Sequence, residues 1–304
     1  MLSKKFNNLS LGIIHPMRYH FTRFLKTVFF ILYLLNLSAC THLVHVQNYS
    51  QAEQPRYARI GKHSGDDDES KPLMIVSYNI ELSRKIKKAA ALLSQDHYLK
   101  QADIICLQEM TKEGVESLAD QLHFDYIYYP SAIHPANQKE FGNAILSRLP
   151  IVHDRKIILP LAQEDKLYRI QRIGVEAQIQ KGDGTFSVIS THLGAMLTPE
   201  NRRIQVKALL DDLHTKQKHV IIVGDFNTYS KNHLDPILKL MSQRGFTFAT
   251  PNVTWTYKYW YFFNKKSILD LAFIKGFTLV DSGSIIDRSA SDHLPIWIKV
   301  ALPQ

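Results

Sequence analysis

Between residues 73 and 302, eight short apolar runs alternate with longer amphipathic stretches, and this alternation restricts the fold more than any other feature of the chain. The runs are LMIVSYNI (73–80), DIICLQE (103–109), NAILS (143–147), GVEAQIQ (174–180), FSVISTHL (186–193), VIIVGDF (220–226), DLAFIKG (270–276) and PIWIKVAL (295–302). Their length and β-branched content predict strands. The stretches near 84–98, 111–122, 199–217 and 232–243 predict helices. The third begins well, because Thr198 can cap it and Pro199 suits the first helical position. Strands and helices in alternation predict an α/β layered domain. No repeat or low-complexity tract breaks residues 71–304, so this span is expected to be one domain.

Many of the predicted strands end in, or are entered from, a polar residue. Asn79 and Glu109 end the first two, His192 and Asp225 end the fifth and sixth, Asp270 opens the next, and Asp292 and His293 precede the last. Taken singly, each has a plain structural explanation. An Asp after a strand forms turns, an Asn bonds its local backbone, and a His sits satisfied at a surface. Seven together are harder to explain that way, because layered α/β domains gather their chemistry on strand ends at one rim.

The first 39 residues carry Lys4, Lys5, Arg18, Arg23 and Lys26, no acid, and then the apolar run TVFFILYLLNLSAC at 27–40. A basic stretch followed by a short apolar run reads as a secretory signal, and the run is short for a membrane span. Leu37-Ser38-Ala39-Cys40 resembles a bacterial lipobox, which implies an acylated Cys40, a signal over 1–39 and a membrane-anchored lipoprotein. The anchored chain would face the periplasm or cell surface, on the outer membrane in a Gram-negative cell. An uncleaved anchor helix is the alternative, and Met17 is an alternative start. Residues 40–70, ending in SGDDDES, read as a polar tether. Removing the signal's five cations takes the net charge from +9 to +4, so charge alone does not indicate a nucleic-acid binder. With Cys40 acylated, Cys106 has no partner and is expected in the core.

SYNI, LQEM, GNAILSR, STHLG, GDFN, LDLAF and SDHLPI occur in this order between residues 77 and 296. In kind and order they resemble the endonuclease/exonuclease/phosphatase superfamily, the DNase I-like hydrolases. That resemblance implies a four-layer α/β sandwich, two mixed β-sheets packed face to face with flanking helices. It also implies divalent-metal hydrolysis of a phosphoester, with magnesium or manganese, by a chain expected to be a monomer. Glu109 is then the expected metal ligand, with Asn79 giving a carbonyl oxygen and Asp292 a second carboxylate. These are hard donors suited to magnesium, and zinc-type Cys/His spacing is absent. Asp225 would activate the attacking water, and Asn227, two residues on, would donate to the phosphate while Phe226 turns into the core. His293, held by Asp270, would contact the phosphate, and His192 would protonate the leaving oxygen or bind the phosphate. Asn143 and Arg169 are expected at the substrate, and Arg172 is a further candidate. Arg202 and Arg203 are expected to be solvated on a helix.

The segment WTYKYWYFFNKK (255–266) interleaves aromatics with lysines. It suits base stacking, a membrane interface or a core strand. Together with this segment, the resemblance implies a phosphodiester substrate, in nucleic acid or in a phospholipid of the sphingomyelin type. The alternatives are a phosphomonoesterase on inositol phosphates or nucleotides, and a non-catalytic binding lipoprotein with the same fold.

Overall fold

The computed structural model describes residues 46–62, 71–161, 169–213, 217–259 and 265–302. Cys40 and the signal lie outside these residues, as does 260–264 of the aromatic segment. In chain order the strands are β1 Tyr57–Arg59, β2 Leu73–Asn79, β3 Ile104–Met110, β4 Asp125–His134, β5 Lys139–Ser147, β6 Ile151–Ile158, β7 Ile173–Lys181, β8 Gly184–His192, β9 Val220–Asp225, β10 Thr247–Phe248, β11 Tyr257–Lys258, β12 Lys266–Ser267, β13 Asp270–Lys275, β14 Thr278–Ser284 and β15 Ile296–Ala301. The α-helices are α1 Ile86–Gln95, α2 Lys112–Leu122, α3 Pro199–Asp211 and α4 Lys231–Gln243.

Two mixed sheets form the centre. One has the order β1-β4-β5-β3-β2-β15-β14 and the other β10-β13-β9-β8-β7-β6. The pairs β2/β3 and β8/β9 are parallel. Three apolar layers separate four structural ones. Ile75, Cys106 and Ile145 of the first sheet meet Val175, Val188 and Val223 of the second between the sheets. Val76, Tyr78 and Leu107 face outward onto Leu93 of α1 and Val115 and Leu118 of α2. Ile189, Ile222 and Phe226 face outward onto Val206 and Leu209 of α3 and Ile237 of α4. Central strands are thus buried on both faces, which is why they read as continuous apolar runs rather than as alternation. The expected four-layer sandwich is the observed fold.

Helix starts follow local chemistry. The Thr111 hydroxyl accepts from Gly114 N–H at the start of α2, and Thr198 accepts from Asn201 N–H at the start of α3, ahead of Pro199. α3 stops at Asp211 rather than running to 217, and α1 is shorter than expected at both ends.

The stretch read as a tether needs correcting over 46–62. Tyr49 N–H donates to Ser131 O and Ile133 N–H to Gln47 O, both at 2.8 Å, and β1 pairs with β4. Lys156 Nζ donates to Tyr49 O at 3.2 Å and Gln54 O at 2.6 Å. This polar segment covers what would be the open edge of β4, satisfying backbone groups that an exposed edge leaves unpaired.

Two buried amides cross between the sheets at the end where β2, β3, β8 and β9 stop. Gln108 Nε2 donates to Ser190 Oγ at 3.0 Å. Asn143 Nδ2 donates to Ile173 O at 3.0 Å and Ser190 O at 3.3 Å. They fix the spacing of the two strand-end rims, and the site is built on those rims.

Candidate active site

Strand register brings three of the expected residues side by side. Asp225 at the end of β9 pairs with His192 at the end of parallel β8 and with Asp270 at the start of antiparallel β13. Gly224 makes this close pairing possible. Its φ is +148°, and a Cβ there would stand 1.9 Å from Thr191 O. Gly224→Ala is therefore expected to destabilise the fold by about 3 kcal/mol through overpacking against backbone. For a domain of this size that is a fall in melting temperature of about 10 °C, read by calorimetry.

The other sheet supplies the facing wall. Asn79 ends β2 and is fully buried. Glu109 sits where β3 slips register against β5, with a φ of +57°. Such a bulge re-aims a side chain that regular pleating would bury, at a cost in backbone strain. The Ser-Asp-His tripeptide is pinned by Ser291, whose hydroxyl donates to Asn79 O at 2.7 Å and accepts from His293 N–H at 3.1 Å.

Asp225 Oδ2 is the hub. It lies 3.0 Å from Asn79 Nδ2, 3.4 Å from His192 Nε2 and 3.7 Å from His293 Nε2. Asn79 Nδ2 also reaches Glu109 Oε1 at 3.3 Å, and His293 Nδ1 meets Asp270 Oδ2 at 2.8 Å. Phe226 turns into the core against Phe273. Asn227 is not extended. Its φ is +53°, and its N–H donates to Asp225 Oδ1 at 2.9 Å, an Asx-type turn. The turn and the site are thus the same structure.

Burial pushes the Asp225 carboxyl up to about 7, reinforced by the charges of Asp270 and Glu109 and opposed by His293. Burial also raises the Glu109 carboxyl, with Asp292 adding to the effect and His293 and Arg172 opposing it. The two imidazoles diverge. Burial, with Arg172 and His293 nearby, holds His192 well below the ordinary histidine value. Burial acts the same way on His293, but Asp270 and Asp225 overcome it and bring the ring up to about 10. At neutral pH His293 is an imidazolium and His192 a neutral ring. Of the two roles expected of His192, this favours phosphate binding over proton donation.

A cavity of about 600 Å³ opens over these groups. Glu109, Asp225, Asn227, Asp292, His192 and His293 face it, and Arg172, Tyr229, Tyr257, Tyr259 and Met196 help form its walls. Of the aromatic segment, Trp255 is buried in the core and Tyr257 reaches the cavity, its ring centroid 4.9 Å from that of His293.

Three expectations change. Asn143 is buried, with its amide donors on Ile173 O and Ser190 O, so it ties the sheets together and does not line the cavity. Arg169 is exposed and does not line the cavity, whereas Arg172 does, with Nη1 3.2 Å from His192 Nδ1. Arg172 stands next to β7, which carries it inward. Asn79 Oδ1 accepts from Glu81 N–H at 3.1 Å while its amide nitrogen faces the carboxylates. It therefore orients Asp225 and Glu109 instead of offering a free carbonyl oxygen. Two contributors were not expected. Tyr229 donates to Asn227 Oδ1 at 2.8 Å, and Arg202 is buried beneath Tyr229, although Arg203 pairs with Glu200 at the surface as a solvated residue would.

The donor set suits a hard cation. Asp225, Asp270 and His293 bring three ligand atoms within 4.8 Å of one another. In that trio, however, the ring is cationic and its Nδ1 is engaged by Asp270. Glu109 and Asp292, two neighbouring carboxylates, offer oxygen donors on the cavity side, and such a pair is what magnesium needs beside its retained waters.

A buried carboxylate that can take a proton, a fixed imidazolium and oxygen donors for a hard cation serve phosphoester hydrolysis. The chain belongs to the Endonuclease/Exonuclease/phosphatase family, whose profile matches residues 76–293. Solved structures share the fold. An endonuclease/exonuclease/phosphatase from Beutenbergia cavernae DSM 12333 is 18% identical, with 76% of this chain and 72% of that one covered and a TM-score of 0.62. A mannosyl-6-phosphatase from Bacteroides thetaiotaomicron VPI-5482 is 17% identical, with 76% and 100% covered and a TM-score of 0.59. D. rerio TDP2 complexed with a single-strand DNA product is 15% identical, with 75% and 98% covered and a TM-score of 0.59. Among curated proteins, none matches the chain.

Proposed function

We propose that this protein is a magnesium-dependent phosphodiesterase. The observation that carries the reading is the convergence on Asp225 Oδ2 of Asn79, His192 and His293, with Glu109 bonded to the same amide. Glu109 and Asp292 would hold the metal, magnesium or manganese, which when bound neutralises charge on a phosphate oxygen. Asp225, once ionised, takes a proton from the attacking water as the water oxygen bonds to phosphorus, the ester P–O bond opposite breaks, and the departing oxygen takes its proton from solvent. His293 donates to a phosphate oxygen from Nε2 while Asp270 holds its Nδ1 proton. The neutral His192 ring and the Asn227 amide bind the remaining phosphate oxygens, and Arg172 adds a cation at the rim.

The walls favour a diester over a monoester. Tyr229, Tyr257, Tyr259 and Met196 offer apolar surface to a second ester substituent, while among the described residues the cations lining the cavity are Arg172, Lys265 and the His293 imidazolium. A monoester dianion calls for more positive charge than that. Proteins of the same fold include one solved with a single-strand DNA product and a mannosyl-6-phosphatase. We read the substrate as a phosphodiester of nucleic acid or of a membrane lipid. Acylated Cys40 would hold the enzyme at a membrane. Loss of palmitate incorporation in Cys40→Ser tests that anchor.

A substrate panel tests the activity. Protein lacking residues 1–40 is given magnesium with plasmid DNA, RNA, sphingomyelin vesicles or inositol phosphates. Hydrolysis of a diester is expected, falling at least about 100-fold in EDTA and returning with magnesium or manganese. Undiminished turnover in EDTA would overturn the metal assignment. Preference for inositol phosphates would favour the monoesterase.

A further inference from the structure

Arg202 is the largest side chain among the described residues to be wholly shielded from solvent. None of its hydrogen bonds there goes to a carboxylate. Nη2 donates to Gly194 O at 3.1 Å and Ala195 O at 3.2 Å, and Nη1 faces His233 Nδ1. Nε has no hydrogen-bond partner among the described residues. The guanidinium carbon stands 5.4 Å from the centroid of the Tyr229 ring. A buried cation with no carboxylate bonded to it is costly even with the Asp225 charge acting on it from a distance, and an apolar side chain of similar volume would fill the space at less cost. What an apolar side chain would not supply is the planar fork, which grips two carbonyls while its face rests on an aromatic ring.

Both things that Arg202 grips lead to one residue. Tyr229 donates its hydroxyl to Asn227 Oδ1 at 2.8 Å. The segment carrying the Gly194 and Ala195 carbonyls begins at Leu193, whose own carbonyl accepts from Asn227 Nδ2 at 3.0 Å. Asn227 holds a left-handed backbone at φ +53°, so its side-chain direction needs outside support. An Asn amide can be turned over with little change in shape, and only its partners decide which end is which. Here a hydroxyl donor on one side and a carbonyl acceptor on the other select the orientation.

We propose that Arg202 is a positioning residue that acts through Tyr229 and the Leu193–Ala195 segment to hold the Asn227 amide with its remaining side-chain N–H, the one not given to Leu193 O, toward the substrate phosphate. The inference rests on the reading that Asn227 contacts that phosphate. Arg202 itself touches no substrate. Its effect on catalysis comes from fixing in advance a donor that would otherwise have to be ordered during the reaction.

The test is a double-mutant cycle on the full chain in detergent, with Arg202→Met, Tyr229→Phe and the two combined. Magnesium-dependent hydrolysis of bis(p-nitrophenyl) phosphate gives kcat and KM. Each single change should lower kcat about 10- to 100-fold with KM within about twofold. The combined variant should be no slower than the slower single one, because both act through the same amide. Effects that multiply, or a folded Arg202→Met enzyme with wild-type kcat, would overturn the proposal. A second readout does not need turnover. The two side-chain N–H resonances of Asn227, assigned by their loss in Asn227→Asp, should be distinct in the wild type and shift or broaden in Arg202→Met and Tyr229→Phe. Unmoved resonances would overturn the proposal whatever the rates. If the wild type hydrolyses no phosphoester, the functional reading fails, while these resonances still decide the positioning role. Should Arg202→Met not fold, Arg202→Lys, which keeps the charge and loses the fork, takes its place in the cycle.

Discussion

Asp225→Asn is expected to lower kcat by roughly 1000-fold, the middle of the range for loss of a general base, and to leave the fold intact. The change preserves shape while removing the charge and the capacity to accept a proton. Two effects on stability oppose each other. The new amide places an N–H against either Asn79 Nδ2 or Asn227 N–H, where the carboxylate accepted from both, and loses a buried hydrogen bond worth about 1 kcal/mol. Against this, burial raises the wild-type carboxyl from its ordinary value to about 7. A carboxyl raised in the folded state loses stability as pH climbs toward that value, so the neutral amide spares the fold a buried charge at pH 8. The His293 imidazolium already offsets part of that charge, so the relief is partial. The melting temperature at pH 8 should therefore stay within a few degrees of wild type while turnover collapses. Calorimetry and initial rates on one preparation check both halves. Wild-type turnover in the folded variant would remove Asp225 from the chemistry.

The sequence shows the centre of this fold more clearly than its edges, for a physical reason. β2, β3, β8, β9 and β13 are buried on both faces, so β-branched and apolar residues dominate them and the polar ones gather toward their ends. β6 and β14 lie at sheet edges and carry polar runs, IVHDRKII and TLVDSGS, which have no strand signature of their own. β4 is hidden by Pro130, which normally argues against a strand, yet here it sits where the pairing with β5 slips register. The tether misreading has the same root. A short polar strand is stabilised by the edge it covers, and that edge is invisible along the chain.

The site divides in a similar way. Asp225, His192, Asp270 and His293 can be read from the sequence because each lies at a strand end beside a recognisable motif. Asn143 and Arg169 show the limit. An amide within a strand looks the same whether it meets a phosphate or ties two sheets together, and only the facing Ile173 and Ser190 carbonyls decide. Arg169 and Arg172 are three residues apart before β7, and the strand start at Ile173 sets which one turns inward. Arg202 looked like one of two solvated helix cations because α3 has a weak apolar stripe, and a fully buried arginine contradicts the usual rule for that residue.

Asp270→Asn should be the most informative change for the imidazole. The Asp270 carboxylate accepts from His293 Nδ1 at 2.8 Å, and its other oxygen, Oδ1, has no hydrogen-bond partner among the described residues. Its charge is therefore directed at one ring. Burial alone would lower the ring's affinity for a proton, and Asp270 is the first of the influences that reverse this and bring it to about 10. The sign follows. The imidazolium is the form that donates to the phosphate and ionised Asp225 is the base, so the wild-type rate should rise as pH passes about 7, hold above it, and fall as pH rises through about 10. With asparagine, burial is left opposed by Asp225, Asp292 and Glu109 without the nearest carboxylate, so proton loss moves to lower pH. The alkaline limb of the kcat/KM profile should move in the acid direction, and kcat at pH 8 should drop about 100-fold. An asparagine amide can also donate to Nδ1, which would place the remaining proton on Nε2 and hold the neutral ring in a fixed tautomer. Such a ring keeps its N–H toward the substrate but has lost its charge. Lowering the pH should then restore part of the lost rate for as long as Asp225 stays ionised, because it returns the proton that Asp270 no longer holds, and losing the Asp270 charge lets Asp225 stay ionised to lower pH. An alkaline limb that stays in place would show that His293 does not govern it, and the assignment of the imidazolium to phosphate binding would fall.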